Sequence, residues 1–193
     1  MNNNKMIAMM LTMSMLAAAF AGCLGGDEED DTPDWSISMA SDVSADFVES
    51  AWDPIIPNLN AGDMCDAIIS AMTKTDEREQ AVDFTRAYYT SSQAVIGGSG
   101  AASISAVADL NAEGTTIGVQ SGTTSDLYAQ ANLGAATISA YDDFPSVIAA
   151  LNNGDVHYAM GDAPVLALEG TLMVTFSDEN FGMAVQGDSS GEL

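Results

Sequence analysis

The apolar and polar positions fall into three regimes along the chain. Residues 6–21 form an apolar run, entered through Met-Asn-Asn-Asn-Lys and left through small residues. Residues 25–34 hold no bulky apolar side chain and carry an acidic block at 27–31. From residue 35 onward, short apolar runs of strand length alternate with segments of helical period. Strands are predicted at 37–40, 67–70, 92–97, 116–119, 136–140 and 156–160, with 47–49 as the end of another. Helices are predicted after Asp53-Pro54, from Asp76 to about 82, over 121–132, from Asp142 or Asp143 to 153, and from Gly161 onward. Strand, helix, strand, helix with short connections predicts an α/β fold with a mainly parallel sheet.

Local signals support these boundaries. Asp53 and Pro54 suit an N-cap and first helical position, and Gly62 suits a stop. Phe144, Val147, Ile148 and Leu151 share one helical face, closed by Gly154. The small residues of 97–102 suggest a domain boundary.

The first regime has the layout of a secretory signal peptide and is short for a membrane span. It ends in Phe20-Ala-Gly-Cys23, which resembles a lipobox, with Phe20 where the bacterial motif usually has Leu. Lipidation is therefore expected at Cys23. One acyl chain anchors only marginally, so firm attachment would use two. Residues 23–34 read as a self-repelling tether that holds the folded part off the membrane.

Charge narrows the partners. The chain has 28 acidic and 4 basic residues, a net charge of −24. Such a surface repels nucleic acid and anionic headgroups, so nucleic acid is excluded as a partner. Past Cys23, Cys65 is the only thiol, so no disulfide is expected within one lipidated chain. Its apolar surroundings predict a core cysteine. His157 is the only histidine, and no zinc site or Ser-His-Asp triad is found, so no metal, cofactor or catalytic residue is expected.

Three strand-to-helix turns could carry chemistry, because ligands of open parallel sheets bind outside the strands' carboxyl ends. Residues 70–78 bring a cation, Arg78. Residues 121–124 bring hydroxyls and a helix start. Gly161-Asp162 brings an anion. A cation with a helix start would hold a carboxylate, and an anion would hold an ammonium. Together they match the two ends of an α-amino acid. Each feature has a plainer reading: Arg78 as a surface ion-pair partner, Thr123 and Asp162 as caps, Trp52 as a staple on its own helix.

Three segments then carry a resemblance: Trp52-Asp-Pro-Ile-Ile-Pro-Asn-Leu-Asn-Ala-Gly, Asp66-Ala-Ile-Ile-Ser-Ala-Met-Thr, and Thr75-Asp-Glu-Arg-Glu-Gln-Ala-Val-Asp-Phe-Thr. With Ile117-Gly-Val-Gln-Ser-Gly-Thr-Thr, Gly161-Asp162-Ala-Pro and Phe181-Gly-Met-Ala-Val, the chain resembles extracellular solute-binding proteins of family 3. These are the polar amino-acid binding lipoproteins of ABC importers. The resemblance implies a two-lobed, periplasmic-binding-protein-like type II clamp. It implies that Arg78, Thr123 and Thr124 bind the ligand carboxylate, that Asp162 binds the ammonium, and that Ser70 and Thr73 donate first-lobe hydrogen bonds. Trp52 would be the aromatic wall, Ala71 would act through its backbone, and Asp42 would be an early pocket residue. It also implies a first lobe lacking roughly one βαβ step (~30 residues) and the C-terminal helices of relatives.

The expected organisation is a signal peptide at 1–22, a tether at 23–34, an incomplete first lobe at 35–96 and a second lobe at 97–180. A return strand and shortened C-terminus fill 181–193. The expected role is the extracytoplasmic, lipid-anchored binding component of an amino-acid ABC importer, a monomer with a free amino acid and a membrane permease as partners. The alternatives are a sensor domain, a dehydratase-like enzyme on the same scaffold, and an internally deleted copy without function.

Overall fold

The computed structural model of the chain describes residues 6–10, 45–62 and 64–187. Cys23, the tether, the expected strand at 37–40, Asp42 and residues 188–193 lie outside the described residues, as does all of the expected signal segment except 6–10. The described chain forms two five-stranded sheets. No helix among the described residues is long and apolar enough to cross a membrane.

The first sheet runs β2-β1-β3-β10-β4. Its strands are β1 (Met6–Met10), β2 (Ala45–Glu49), β3 (Ala67–Ile68), β4 (Val82–Phe84) and β10 (Ala184–Gln186). β1 pairs parallel with both β2 and β3. Part of the expected signal segment therefore fills a strand position inside this sheet. One helix, α1 (Ile55–Ala61), packs on it. Pro54 rather than Asp53 occupies the N-cap, and Gly62 closes the helix at φ 70°. Trp52, Ile55, Leu59, Ile68, Met72 and Val82 form the core. Cys65 is buried with them, and burial, then the charge of Asp66, pushes its thiol up. The helix expected at 76–82 is instead a 3-10 turn (Arg78–Gln80) followed by β4. Val82 is needed in the sheet, opposite Gln186, and that sheet pairing overrides the helical start signal.

The second sheet runs β7-β6-β8-β5-β9. It comprises β5 (Tyr89–Gly97), β6 (Thr116–Gln120), β7 (Thr137–Tyr141), β8 (Tyr158–Asp162) and β9 (Val174–Phe181). Helices α2 (Thr124–Asn132), α3 (Phe144–Asn153) and α4 (Ala163–Glu169) connect and cover it. Asp143 caps α3 by accepting from Ser146 N, and Gly154 ends it. The helices bury two apolar clusters, one on each face. Each sheet is parallel over β2-β1-β3 or β7-β6-β8 and antiparallel where the crossing strands join.

β5 belongs entirely to the second sheet, so the chain leaves the first lobe before Tyr89, not at 97. The apolar run of β5 is long because its residues 94–96 are buried against helices on one face and the loop-and-strand cluster on the other. The return crossing lies at Gly182, between β9 and β10. The two crossings are stitched together: Thr85 N donates to Met183 O and Tyr88 N to Phe181 O, both at 2.9 Å. That double crossing places the ends of both sheets against one cleft.

Candidate functional site

Arg78 opens the 3-10 turn, whose start is fixed by Thr75 Oγ1 accepting from Arg78 N at 3.2 Å. Its guanidinium donates to Thr73 O at 2.9 Å within the first lobe and to Gly122 O at 3.3 Å in the second. It lies 5.2 Å over the Trp52 ring, in cation–π range. Trp52 is 9% exposed and shares the core with Ile55 and Leu59. It therefore packs on its own helix and supports Arg78 at once. Burial lowers the guanidinium's pKa, while Glu179, Asp162 and Glu77 pull it back up.

The loop after β3 supplies the other first-lobe groups. Ser70 has a buried hydroxyl with no hydrogen-bond partner among the described residues. Ala71 takes a left-handed φ of 52° and donates its N–H to Tyr88 Oη at 3.0 Å. A non-glycine residue in that region is a strained choice, and such strain concentrates at ligand sites. Burial pushes the Tyr88 phenol up, against the Ala71 hydrogen bond, and the charge of Asp162 adds to the rise.

From the second lobe, the start of α2 faces Arg78 through Gly122. Thr123 is spent on capping: its hydroxyl donates to Gln120 O at 2.8 Å and accepts from Asp126 N at 3.3 Å. Thr124 Oγ1 accepts from Gln93 Nε2 at 3.2 Å. At this end Gly122 N donates to Asp126 Oδ2 at 3.0 Å, Thr123 N to Gln120 O and Asp126 N to Thr123 Oγ1, so the first-turn N–H groups of Thr124 and Ser125 are the ones that could receive an anion. Asp162, at the end of β8, begins α4 without a side-chain cap. It accepts from Gln93 Nε2 at 2.6 Å. Burial pushes its carboxyl up to about 7; Gln93 opposes this, Glu179 adds to it, and Arg78 opposes it.

Three residues escaped the sequence reading. Gln93 is buried on β5 and also accepts from the Ser125 hydroxyl, so one amide ties Asp162 to the start of α2. Tyr88 holds the strained loop. Glu179 on β9 is buried and acts electrostatically on both Arg78 and Asp162. A polar residue inside the apolar β5 run was the available signal for Gln93. Among the described residues, no group of three or more metal-ligating side chains occurs.

The structure thus brings Arg78, Trp52, Ser70 and Thr73 from one lobe to Thr123, Thr124 and Asp162 of the other. Two lobes with a double crossing and a cleft charged in this way define a type II periplasmic-binding-protein-like clamp. Residues 36–143 match the bacterial extracellular solute-binding proteins, family 3, and the chain belongs to that family. It is 30% identical over 163 residues to a "Probable histidine-binding protein" of Neisseria gonorrhoeae, covering 78% of this chain and 60% of that one. It is 34% identical over 149 residues to a protein of the same description from Campylobacter jejuni subsp. jejuni serotype O:2, covering 76% and 57%. Among solved structures it is similar to an ancestral amino acid-binding protein described as a precursor of cyclohexadienyl dehydratase. That match has a TM-score of 0.74 at 26% identity, over 94% of this chain and 82% of that one. The chain spans about 60% of the length of these curated relatives.

Proposed function

We propose that this protein captures a free amino acid between its lobes, outside the cytoplasm, and delivers it to the permease of an ABC importer. The observation that carries the reading is a cation of one lobe, Arg78, bonded across to Gly122 of the other and within electrostatic reach of the carboxyl of Asp162. Arg78, braced on Trp52 and set against the start of α2, suits the ligand carboxylate. Asp162, fixed by Gln93, suits the ammonium. Ser70 and Thr73 border the same loop and supply further hydrogen-bonding groups. The names of the curated relatives support an amino-acid ligand. Cys23 is proposed as the lipid-bearing residue that holds the domain at the membrane, with residues 1–22 removed.

The test is a thermal melt with a panel of free amino acids. A ligand at a hundred times its Kd should stabilise by ~2.7 kcal/mol. The shift should vanish in Arg78→Ala and Asp162→Ala. A second reading, acid–base catalysis on the same scaffold, draws on the buried Asp162, whose carboxyl burial pushes up to about 7. Turnover of a bound cyclic acid would favour it, and saturable binding without turnover would favour the clamp.

A further inference from the structure

β9 carries a bulge against β5. Ser91 is opposite Glu179 while Gln93 is opposite Phe176, so β9 uses one more residue than its partner over that step. The extra residue changes which positions face inward. Before the bulge, the partly buried positions are Val174 and Phe176; after it, the buried ones are Glu179 and Phe181. Without the bulge, the alternation would put 179 on the exposed face. Ser177, inside the bulge, takes φ 51° and donates its hydroxyl to Glu179 Oε1 at 2.8 Å. Strained backbone and a bulge together turn an acid into the protein.

Glu179 is 5% exposed, and its second oxygen, Oε2, is buried without a hydrogen-bond partner among the described residues. A buried carboxylate oxygen with no donor is costly. Nearby charges leave the site short of a cation: one guanidinium, Arg78, stands against the carboxylates Asp162 and Glu179, with Glu77 also acting on it from its own turn. A zwitterionic amino acid adds no net charge and leaves that imbalance. An amino acid with a cationic side chain removes it.

Resting on the clamp reading above, we propose that Glu179 is a specificity residue, whose Oε2 accepts from the side-chain cation of a dibasic amino acid of the lysine, ornithine or arginine kind. Arg78 then keeps the α-carboxylate and Asp162 the α-ammonium. A merely structural Glu179, balancing Arg78, would affect all ligands alike.

The experiment is calorimetric titration of lysine, arginine, glutamine and alanine into the wild type, Glu179→Gln and Glu179→Asp. The wild type should bind the dibasic ligands at least roughly tenfold more tightly than the neutral ones. In Glu179→Gln that preference should disappear through weaker dibasic binding, while neutral binding stays within about threefold. Glu179→Asp keeps the charge and should keep the sign of the preference. Neutral ligands binding the wild type as well as dibasic ones, or a uniform loss in Glu179→Gln, would overturn the proposal and leave the clamp standing. Failure of every amino acid to bind the wild type would overturn both. Should Glu179→Gln not fold, the wild-type preference and Glu179→Asp still decide.

Discussion

The guanidinium of Arg78 spans the cleft, donating through Nη2 to the carbonyl of Gly122 at 3.3 Å. Arg78 is also fixed within its own lobe by Thr73 O and Trp52, so it does not have to be ordered when the ligand arrives. Arg78→Lys keeps the charge but loses the planar fork and its fit over the ring. We expect Arg78→Lys to weaken amino-acid binding by roughly a hundredfold, the worth of about one charge-assisted hydrogen bond. Titration calorimetry on a variant with an unchanged cooperative melt checks this. Near wild-type affinity would mean the carboxylate is held elsewhere.

The backbone of Gly122 makes the second half of that contact possible. Its φ is +67°, and an added Cβ would lie 3.3 Å from Asp53 Oδ1 and 3.6 Å from Trp52 Cδ1. Gly122→Ala therefore combines left-handed strain of about 1–2 kcal/mol with a push between the lobes. The expected outcome is a lower Tm and weaker ligand binding together. A lower Tm with unchanged affinity would show that the lobes do not approach at this point when the ligand is held.

Asp162 sets a pH dependence whose sign is fixed. Its carboxyl is raised to about 7 in the folded protein, above its ordinary value of 3.8. Between those values the folded chain keeps a proton that the unfolded chain has lost. Stability of the empty protein therefore falls as pH rises through that window. Ammonium binding needs the carboxylate, so affinity runs the other way. It should be level above about pH 7 and fall by up to roughly tenfold per unit below it. Titrations between about pH 5 and 8 check this. Flat affinity across that span would remove Asp162 as the ammonium partner.

Gln93 acts through Asp162 and is a positioning residue. Its amide makes the largest downward pull on the Asp162 carboxyl and also holds Thr124 and Ser125. Gln93→Leu should cost about 1–3 kcal/mol of stability, since it strands buried polar groups. More tellingly, it should move the pH midpoint of ligand affinity upward. A loss of stability with an unmoved midpoint would leave Gln93 a core residue only.

The second lobe was legible in the sequence because its signals are local. Thr123 and Asp143 each cap a helix as their positions predict, and Gly154 ends α3. The first lobe was less so. A strong start signal at Asp76-Glu77 yields only a 3-10 turn, because Val82 and Phe84 pair with β10, about a hundred residues away in the chain. The crossing point was misplaced for a similar reason: β5 looks continuous with what precedes it, and only its pairing with β8 and β9 assigns it to the second sheet. In the site, Arg78 and Asp162 were legible as charges at strand-to-helix turns. Glu179 was not, since its inward aim depends on a bulge that shifts the register of β9 by one residue. Ser177-Asp178 reads equally well as an ordinary polar turn.

The slot between β2 and β3 poses the last test. Met6–Met10 fills it, parallel to both neighbours. The sequence offers a second candidate, residues 37–40, which resemble the family's first strand and lie after Cys23. Cleavage before Cys23 would take Met6–Met10 away and leave that slot to be filled from within the mature chain. The segment at 37–40, with Ile37 and Met39 alternating with Ser38, has the period-2 pattern the slot requires. We therefore expect a chain beginning at Leu24 to melt cooperatively and to keep the shift induced by its amino-acid ligand. Introducing Pro at Ser38 in that shorter chain should abolish the cooperative melt, since Pro cannot donate in a central strand. The same change in the full chain should be tolerated. If instead the shorter chain fails to fold while the full chain folds and binds, Met6–Met10 is a permanent strand of the first lobe, and removal of residues 1–22 is not a step in its maturation.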